Sequence, residues 1–346
     1  MNVYRKFRIS SIKALTEDCR TFVLQPADGL PLHYQAGQFL TFVFSKRGGE
    51  DRRSYSISSA PALHEPLSIT VKRIENGEYS RKLVDRARPG DELTSTGAGG
   101  FFVLPAGMAA YSQFFFMAAG TGITPVLPLV KTLLFLHPHV SVVLIYSNRS
   151  AAATLFYDEL QQLQELFAAR LTVEYLFSTA RQLQRARLGK ALLQELLLQH
   201  RKAETGNTLF YTCGPFDYMR MVTIVLLENR VPAQHIRKEH FTAAATVSPV
   251  KPPDTDPHLV VIQLQGQRLQ LETRYPQTIL EAAKKAGIAL PYSCGAGSCG
   301  SCAATCTRGN VWMRYNEVLM DDEIASGKVL TCTGYPMGGD VELRYE

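Results

Sequence analysis

Four of the seven cysteines follow a spacing that few structures can satisfy. Cys294, Cys299 and Cys302 form a Cys-x4-Cys-x2-Cys run, and Cys332 follows later in the chain. This pattern is typical of a [2Fe–2S] cluster held by four thiolates. The loop must wrap the cluster with its backbone N–H groups turned inward, which requires residues that tolerate positive φ and close approach. Three glycines within the run supply that freedom: Gly295, Gly297 and Gly300.

Two other uses of these cysteines fit the pattern less well. Zinc sites of four cysteines favour two paired Cys-x2-Cys knuckles, and this region has only one. A dithiol redox pair of Cys299 and Cys302 would leave Cys294 and Cys332 unexplained. Seven is an odd number, and the N-terminal residues show no apolar stretch typical of a secretory signal, so a disulfide framework is not expected.

The character of the 346-residue chain changes along its length, as expected for two or three domains. Residues 1–106 contain short alternating runs between Gly, Pro and Asp turns, which predicts a small closed β-barrel. In residues 107–243 apolar runs alternate with helical patterns, which predicts a parallel sheet with helices on both faces. Residues 244–257 contain four prolines and are predicted to form a semi-rigid linker. Residues 258–346 carry the cysteine run after a predicted hairpin and helix, so we expect a multidomain protein.

Charge and hydropathy limit the possible partners. The formal net charge of +6 is mild and dispersed, which argues against nucleic-acid binding and favours small anionic ligands such as phosphates. The uncharged stretch 114–130 is near the lower length of a membrane span, but two glycines and two prolines interrupt it. It is better explained as a buried strand, a glycine turn and a helix. We therefore expect no membrane segment and a cytoplasmic location.

A glycine-rich turn, Gly120-Thr121-Gly122-Ile123-Thr124-Pro125, follows the predicted strand 114–118 and opens a helix. Glycines let a phosphate-bearing ligand approach the backbone, and a helix N-terminus favours its negative charge. The first turn of a helix also tolerates Pro125, because its missing N–H costs little there. Alone, such a turn is equally compatible with a ligand-free connection. A second small turn, Cys213-Gly214-Pro215, is expected at the same edge of the sheet and favours the nucleotide site.

Two arginines after neighbouring strands bear on which nucleotide binds. In dinucleotide folds an acidic residue near the end of the second strand binds the ribose of NAD, whereas an arginine accommodates the 2′-phosphate of NADP. Here Arg149 follows the second strand of the α/β segment without an acid, and Arg181 follows the third. The pattern favours NADPH, while NADH stays possible and a purely solvent-exposed role for Arg149 stays open.

A third motif becomes informative when it is considered together with the cysteine run and the glycine-rich turn. Arg53-Ser54-Tyr55-Ser56 lies on a predicted barrel strand, and Gly77-x-x-Ser80 follows it. With the glycine turn and Cys-Gly-Pro in this order, the chain resembles the ferredoxin–NADP reductase superfamily. The cysteine run narrows the resemblance to members with a plant-type ferredoxin domain. The chain is similar to reductase subunits of multicomponent oxygenases such as the phenylacetyl-CoA ring-epoxidase system, and to hybrid-cluster-protein reductases.

The resemblance implies FAD rather than FMN, a β-grasp α+β fold for the last domain, and a role for each matching residue. Arg53 would pair with a flavin phosphate, Tyr55 would stack on the isoalloxazine, and Ser56 would hydrogen-bond near its reactive nitrogen. Cys213 would lie near the nicotinamide and Glu239 near the flavin, and with Ser56 they are the candidate catalytic residues. The other implied cofactor-binding residues are Ser54, Val71, Lys72, Gly77, Tyr79, Ser80 and Phe241 for the flavin, and Gly120, Thr121, Gly122, Thr124, Pro125, Gly214 and Pro215 for the nucleotide.

These parts predict one electron path. NADPH gives two electrons together as hydride, an iron–sulfur cluster accepts one at a time, and a flavin can do both. The expected order is therefore NADPH, FAD, the [2Fe–2S] cluster and an external acceptor. The resemblance implies that the acceptor is a terminal oxygenase of the ring-epoxidase or monooxygenase type. A Rieske dioxygenase or a hybrid-cluster protein is the alternative acceptor, and a non-catalytic redox sensor is the alternative of another class.

Overall fold

The computed structural model describes residues 4–46, 49–181, 183–241 and 250–345. The chain divides into two compact units, the first running to Glu239 and the second beginning at His240. The described ranges contain no helix that is both long and apolar enough to span a membrane. The domain boundaries at residues 106, 243 and 257 stay predictions, and the first part of the predicted linker, residues 244–249, lies outside the described residues.

The first part of the first unit is an antiparallel barrel of six strands. The strands are β1 (Arg5–Thr16), β2 (Cys19–Pro26), β3 (Phe39–Lys46), β4 (Gly49–Ser56), β5 (Ser68–Lys72) and β6 (Glu92–Gly99). They pair in the order β4-β3-β6-β1-β2-β5, and a single bridge between Ile57 and Ile69 joins the two ends of the order. The alternation of apolar and polar residues turns one face of each strand inward, so that Phe7, Phe22 and Phe42 fill the centre. Between β5 and β6, helix α1 (Glu78–Arg81) continues into a π-helical turn, Lys82–Arg86.

The second part of the first unit is a parallel five-stranded sheet with helices on both faces, as predicted. Its strands are β7 (Gln113–Ala119), β8 (Ser141–Asn148), β9 (Leu171–Phe177), β10 (Thr208–Cys213) and β11 (Ile236–Glu239), and its helices are α2 (Ile123–Leu136), α3 (Tyr157–Leu166), α4 (Lys190–His200) and α5 (Phe216–Glu228). The strand order is β11-β10-β7-β8-β9, so the direction of winding reverses between β7 and β10. Helices α2 and α3 cover one face, and α4 and α5 cover the other. In open α/β sheets, ligands bind at the carboxyl ends of the strands where the winding reverses.

Barrel and sheet form one body, because their apolar side chains share a core. Cys19, Ala36 and Phe102 of the barrel segment are buried in the same cluster as the apolar face of α2. An ion triad around the buried Lys131 adds a polar contact: Lys131 Nζ on α2 pairs with Glu65 and lies 2.7 Å from Glu159 Oε1, and both carboxylates are partly exposed. The barrel and the sheet are therefore packed in a fixed relative position.

The second unit is a small mixed sheet with two helices, an α+β arrangement. Its elements are β12 (His258–Leu264), β13 (Gln267–Thr273), α6 (Ile279–Lys285), β14 (Ala303–Met313), α7 (Asp321–Ala325), β15 (Lys328–Leu330) and β16 (Gly334–Arg344). The strand order is β13-β12-β16-β14-β15, with a parallel central pair, β12 and β16. Helix α6 begins with a capping box, in which Thr278 and Glu281 each bond the other's backbone N–H. The three architectures confirm the predicted fold class.

The end of the predicted linker is anchored to the second unit. Pro252 is buried. Asp254 accepts hydrogen bonds from His258 Nε2 at 2.8 Å and from the backbone N–H groups of Asp256 and Gly338 at 2.9 and 2.7 Å. Those backbone bonds lower the pKa of Asp254 to about 2. Residues 252–257 therefore belong structurally to the second unit.

Candidate functional site

The two small turns predicted to hold the nucleotide meet at the carboxyl edge of the parallel sheet. Gly122 follows β7 and Cys213 ends β10, on either side of the reversal of winding. The turns are so close that a Cβ atom on Gly122 would lie 2.0 Å from the Cys213 carbonyl oxygen and 3.0 Å from Gly214 N. Only glycine fits at this position, which explains the second glycine of the motif.

The first turn, Gly120–Gly122, leads directly into the N-terminus of α2, a long buried helix. Gly120 has a φ of +54°, and residues Gly120–Gly122 form a single 3₁₀ turn before α2 begins. Thr124 Oγ1 donates to the Thr121 carbonyl at 2.9 Å, and Pro125 lies in the first turn of α2. The positive end of the α2 dipole therefore faces the edge of the sheet where an anionic ligand would approach.

The second turn is equally tight. A Cβ on Gly214 would lie 3.0 Å from the Ala119 Cβ and 3.2 Å from the Tyr218 ring. Pro215 is the residue before α5, with extended backbone, and presents a second helix N-terminus at the same edge. The structure therefore brings the nucleotide residues predicted around Gly120 and Cys213 together.

Arg149 and Arg181 lie on neighbouring loops at this edge. Both side chains are exposed. The loops are tied to each other, because Thr179 donates to the Arg149 carbonyl through its backbone N–H at 3.1 Å and its hydroxyl at 2.7 Å. Two cations are thus carried by connected loops beyond β8 and β9.

The three candidate catalytic residues come together although Ser56 and Glu239 are 183 positions apart in the chain. Ser56 Oγ donates to Glu239 Oε1 at 2.7 Å, and both groups are buried. Cys213 and Glu239 are register partners in β10 and β11. Burial raises the pKa of Glu239 to about 8, while the Ser56 hydrogen bond opposes that shift. Burial, with the Glu239 carboxylate as a second cause, raises the pKa of Cys213 well above its usual value.

Arg53 on β4 is exposed and lies over the ring of Tyr79 at the start of α1. Its guanidinium carbon is 5.1 Å from the ring centroid, and its Nη1 donates to the Arg52 carbonyl at 2.7 Å. Tyr79 is fixed from two sides, because its hydroxyl donates to Asp51 Oδ2 at 2.9 Å and its ring stacks on Phe44 at 4.2 Å. The arginine is held in place with its charge turned to solvent, as an anion-binding group requires.

The rest of the barrel motif is divided between surface and core. Tyr55 is half-buried, 6.1 Å from the Phe42 ring, and burial raises its pKa to about 12. The hydroxyl of Ser54 hydrogen-bonds with that of Thr41 at 2.8 Å. Val71 is buried in the barrel core, which leaves only its backbone for a ligand, and Lys72 pairs with Asp18 at 3.3 Å.

Gly77 and Ser80 belong to a turn that the Ser80 side chain stabilises by hydrogen bonds to the backbone. Ser80 Oγ accepts from Ile74 N at 3.1 Å and donates to the Gly77 carbonyl at 3.2 Å. A Cβ on Gly77 would lie 2.5 Å from Ser80 Oγ. In this structure the Ser80 side chain therefore shapes the turn before α1. Phe241, the remaining flavin candidate, is 49% exposed and lies in the second unit.

The four predicted cluster cysteines meet in the second unit. The thiols of Cys299 and Cys332 hydrogen-bond with that of Cys294 and lower its pKa, and the Cys332 thiol lowers the pKa of Cys302 in the same way. Backbone groups also reach these sulfurs, with Ala296 N 3.3 Å from Cys294 Sγ. No three His, Cys, Asp or Glu side chains of the described ranges are arranged to hold a single metal ion.

The cysteine loop depends on its glycines as predicted. Gly295, Gly297 and Gly300 have φ values of +66°, +75° and +75°. A Cβ on Gly297 would also lie 2.7 Å from the Tyr315 carbonyl oxygen. The sequence did not reveal the tie to the fourth cysteine, in which Thr331 donates to the Cys302 carbonyl through its hydroxyl at 3.0 Å and its N–H at 3.3 Å. Sulfur donors, inward N–H groups and a glycine cradle together fit a [2Fe–2S] cluster.

Comparison with known proteins explains why these three sites occur on one chain. Family models match an oxidoreductase FAD-binding domain at residues 6–103, an oxidoreductase NAD-binding domain at 116–223 and a 2Fe-2S iron-sulfur cluster binding domain at 262–337. The ferredoxin reductase component of 3-ketosteroid-9-alpha-monooxygenase from Mycobacterium tuberculosis (strain CDC 1551 / Oshkosh) is 32% identical, covering 99% of this chain and 96% of its own length. The chain belongs to this family of ferredoxin reductase components.

Two other members resemble this reductase over their full length. One component of the 1,2-phenylacetyl-CoA epoxidase of Escherichia coli (strain K12) is 29% identical, covering 100% of this chain and 99% of its own. The solved structure of phthalate dioxygenase reductase, described as modular for electron transfer from pyridine nucleotides to [2Fe–2S], is 25% identical with a TM-score of 0.60, covering 99% and 98%. The predicted superfamily is confirmed. This reductase is an NAD(P)H oxidoreductase that uses FAD and a [2Fe–2S] cluster in electron transfer.

Sequence reasoning missed two residues that shape the site of this reductase. Tyr146 on β8 donates its hydroxyl hydrogen to the Gly120 carbonyl, and the buried Lys131 forms the ion triad with Glu65 and Glu159. Tyr146 stands within an apolar run and Lys131 within a helical pattern, so neither has a local signal that separates it from ordinary core and surface positions. Both become visible only through contacts between distant segments.

Proposed function

We propose that this reductase takes hydride from NADPH and delivers single electrons to a terminal oxygenase of the monooxygenase or ring-epoxidase type. One observation carries the proposal. The Ser56–Glu239 hydrogen bond joins the flavin strand of the barrel to the carboxyl edge of the nucleotide sheet, beside Cys213. The residues proposed for the donor site and for the flavin site therefore lie side by side within one compact unit, which supports the proposal.

The barrel residues provide charge and shape for FAD. Arg53, held by Tyr79 and the Arg52 carbonyl, would pair with a flavin phosphate, and the half-buried Tyr55 ring would cover the isoalloxazine. Ser54, Lys72 and the backbone of Val71 would line the remainder, with the Gly77–Ser80 turn beside the pyrophosphate. A bound flavin accepts two electrons together and releases them singly, which is the chemistry that the path requires.

At the nucleotide edge, the residues of the chain would position the nicotinamide against the flavin. The contact between Gly122 and Cys213 fixes the two turns against each other, and a Cβ on Gly120 would meet nothing within 4 Å, so the nicotinamide could approach the backbone at Gly120. Gly120, Thr121, Thr124 and Pro125 would line one wall and Gly214 and Pro215 the other. Buried Ser56, Glu239 and Cys213 exclude water from the reacting edge, and Ser56 keeps the Glu239 carboxyl turned toward the flavin strand. The flavin-side role of Phe241 stays a prediction from the family motif.

The preference for NADPH rests on Arg149 and Arg181. Two exposed guanidinium groups on connected loops can bind a 2′-phosphate bidentately, which NADH lacks. Removing the charges by Arg149→Ala with Arg181→Ala is expected to lower kcat/KM for NADPH by about 10- to 100-fold, from the strength of charge-assisted bonds. The value for NADH should change by less than about twofold. An equal loss with both nucleotides would refute the assignment.

The four cysteines are proposed to bind the cluster that passes electrons out of the protein. All seven cysteines of this reductase are free thiols, which supports a cytoplasmic location, where thiols stay reduced.

Reconstitution with purified oxygenases tests the acceptor. The reductase, a terminal oxygenase, NADPH and the oxygenase substrate are mixed, and product formed per NADPH consumed is measured. Ferricyanide, which needs no docking partner, serves as the control acceptor. The proposal expects a product-to-NADPH ratio near one with an oxygenase of the proposed type and an oxygenase-dependent rate. Fast ferricyanide reduction without product from any such oxygenase would keep the reductase and refute the partner. Slow turnover with every acceptor would favour a redox sensor.

A further inference from the structure

One buried hydroxyl lies between the two loops that flank the nucleotide edge. Tyr146, on β8, is fully buried in the core beneath α2 and α3. Its hydroxyl is 3.1 Å from the Gly120 carbonyl oxygen and 3.4 Å from the Leu155 carbonyl oxygen. A tyrosine hydroxyl has a single proton, so the closer Gly120 carbonyl is its main acceptor and the Leu155 carbonyl shares it.

These two carbonyls belong to different parts of the edge. Gly120 opens the glycine turn that precedes α2, and its φ of +54° orients the following N–H groups. Leu155 ends the segment that follows Arg149 and includes the 3₁₀ turn Ala151–Ala153. The next residue, Phe156, has a φ of +58°, which is a strained conformation for a residue with a Cβ.

The positive φ angles of Gly120 and Phe156 make both segments dependent on contacts that hold their backbones in place. A glycine peptide with positive φ can rotate at low cost, and a left-handed phenylalanine returns to ordinary backbone unless its surroundings hold it. The segment from Ser150 to Phe156 has local bonds of its own, from Thr154 to the Ser150 carbonyl and within its 3₁₀ turn. Tyr146 adds to these a link from that segment to the Gly120 turn.

We propose that Tyr146 is a positioning residue that keeps the nicotinamide-side turn and the Arg149-side loop at the spacing of one bound dinucleotide. The inference rests on the proposed function, because it assumes that these two loops receive the nucleotide. Tyr146 acts through the backbone and does not touch the cofactor. Removing its hydroxyl loosens the site before the nucleotide binds, so the cost appears in affinity.

The test compares Tyr146→Phe with Tyr211→Phe in the holoenzyme. Tyr211 lies on β10 of the same sheet, is equally buried, and donates its hydroxyl to the Val103 carbonyl at 2.8 Å. Each variant loses one buried hydrogen bond and keeps its ring. Three quantities are measured: the Kd for NADP⁺ by difference spectroscopy, the limiting rate of flavin reduction at saturating NADPH, and the urea midpoint of unfolding.

Tyr146→Phe is expected to raise the Kd for NADP⁺ by about 3- to 10-fold, as expected for one net hydrogen bond, and to change the limiting rate by less than about twofold. Tyr211→Phe should leave the Kd within about twofold while showing a similar loss of stability. An unchanged Kd in Tyr146→Phe, or an equal rise in both variants, would overturn the inference alone. If the wild-type protein binds neither NADP⁺ nor NAD⁺ and its flavin is not reduced by either nucleotide, the proposed function fails and the inference fails with it.

Discussion

Replacing Gly122 by alanine tests the close meeting of the two nucleotide turns. The new Cβ would lie 2.0 Å from the Cys213 carbonyl oxygen, whereas real Cβ atoms essentially never approach closer than 3.0 Å. Because the obstacle is backbone, the turns must separate by at least about 1 Å. A misplacement of about 1 Å at a reacting centre can cost about 100-fold in rate. We therefore expect Gly122→Ala to slow flavin reduction by NADPH about 100-fold.

The assay is stopped-flow reduction of the bound flavin at saturating NADPH under anaerobic conditions. Gly120→Ala is the matched control, since Gly120 has a φ of +54° and an added Cβ would meet nothing within 4 Å. Alanine in that conformation costs about 1–2 kcal/mol of backbone strain, without displacing Cys213. Flavin content and the urea midpoint show whether each variant is folded. A folded Gly122→Ala protein with a wild-type reduction rate would refute the geometry argued for the edge.

Three further predictions concern the cluster loop, the ion triad and the buried carboxyl. Gly297→Ala should lower the bound iron and sulfide far more than Gly295→Ala. Both glycines have positive φ, but only a Cβ on Gly297 would clash with backbone, 2.7 Å from the Tyr315 carbonyl oxygen. Equal iron and sulfide contents in the two variants would contradict this. Lys131→Met should lower the free energy of unfolding by about 1–2 kcal/mol in urea titrations, because the two glutamates left behind are partly solvated, and Lys131→Arg should lower it by less. The pKa of Glu239 is raised to about 8 in the folded protein, so its stabilising effect is complete below about pH 4.5 and is lost as the pH rises through 8. Glu239→Gln should remove this fall in the free energy of unfolding between about pH 4.5 and 8. If the free energy of unfolding of variant and wild type depends on pH in the same way, the raised pKa of Glu239 is refuted.

Local patterns were sufficient for the elements that carry short-range signals. One of the apolar runs in residues 107–243 is strand β9 (Leu171–Phe177), as the alternation of runs and helical patterns predicts. The helix predicted ahead of the cysteine run is α6 (Ile279–Lys285), because Thr278 caps it and apolar residues repeat along one face. The long strands β1, β14 and β16 were not specified, since they carry many polar residues and bulges that break the alternation.

The candidate site shows the same division. The cysteine loop was predictable because three of the four ligands and all three glycines lie within residues 294–302, at a spacing typical of the cluster. The Ser56–Glu239 contact could be anticipated only through the resemblance to a family, since 183 positions separate the two residues. The hydrogen bond of the Tyr146 hydroxyl and the Lys131 ion triad could not be anticipated. The partners of a buried polar group come from segments that are distant in the sequence and meet only in the fold.

The central claim is that electrons from the nucleotide reach the cluster only through the flavin. Anaerobic stopped-flow spectroscopy of the holoenzyme with NADPH tests it most directly, with the flavin and cluster bands followed in one experiment. The account predicts that the flavin band bleaches first, that the cluster band follows, and that protein stripped of FAD but retaining iron and sulfide shows no cluster bleaching. Reduction of the cluster by NADPH in the flavin-free protein, at a rate close to that of the holoenzyme, would contradict it.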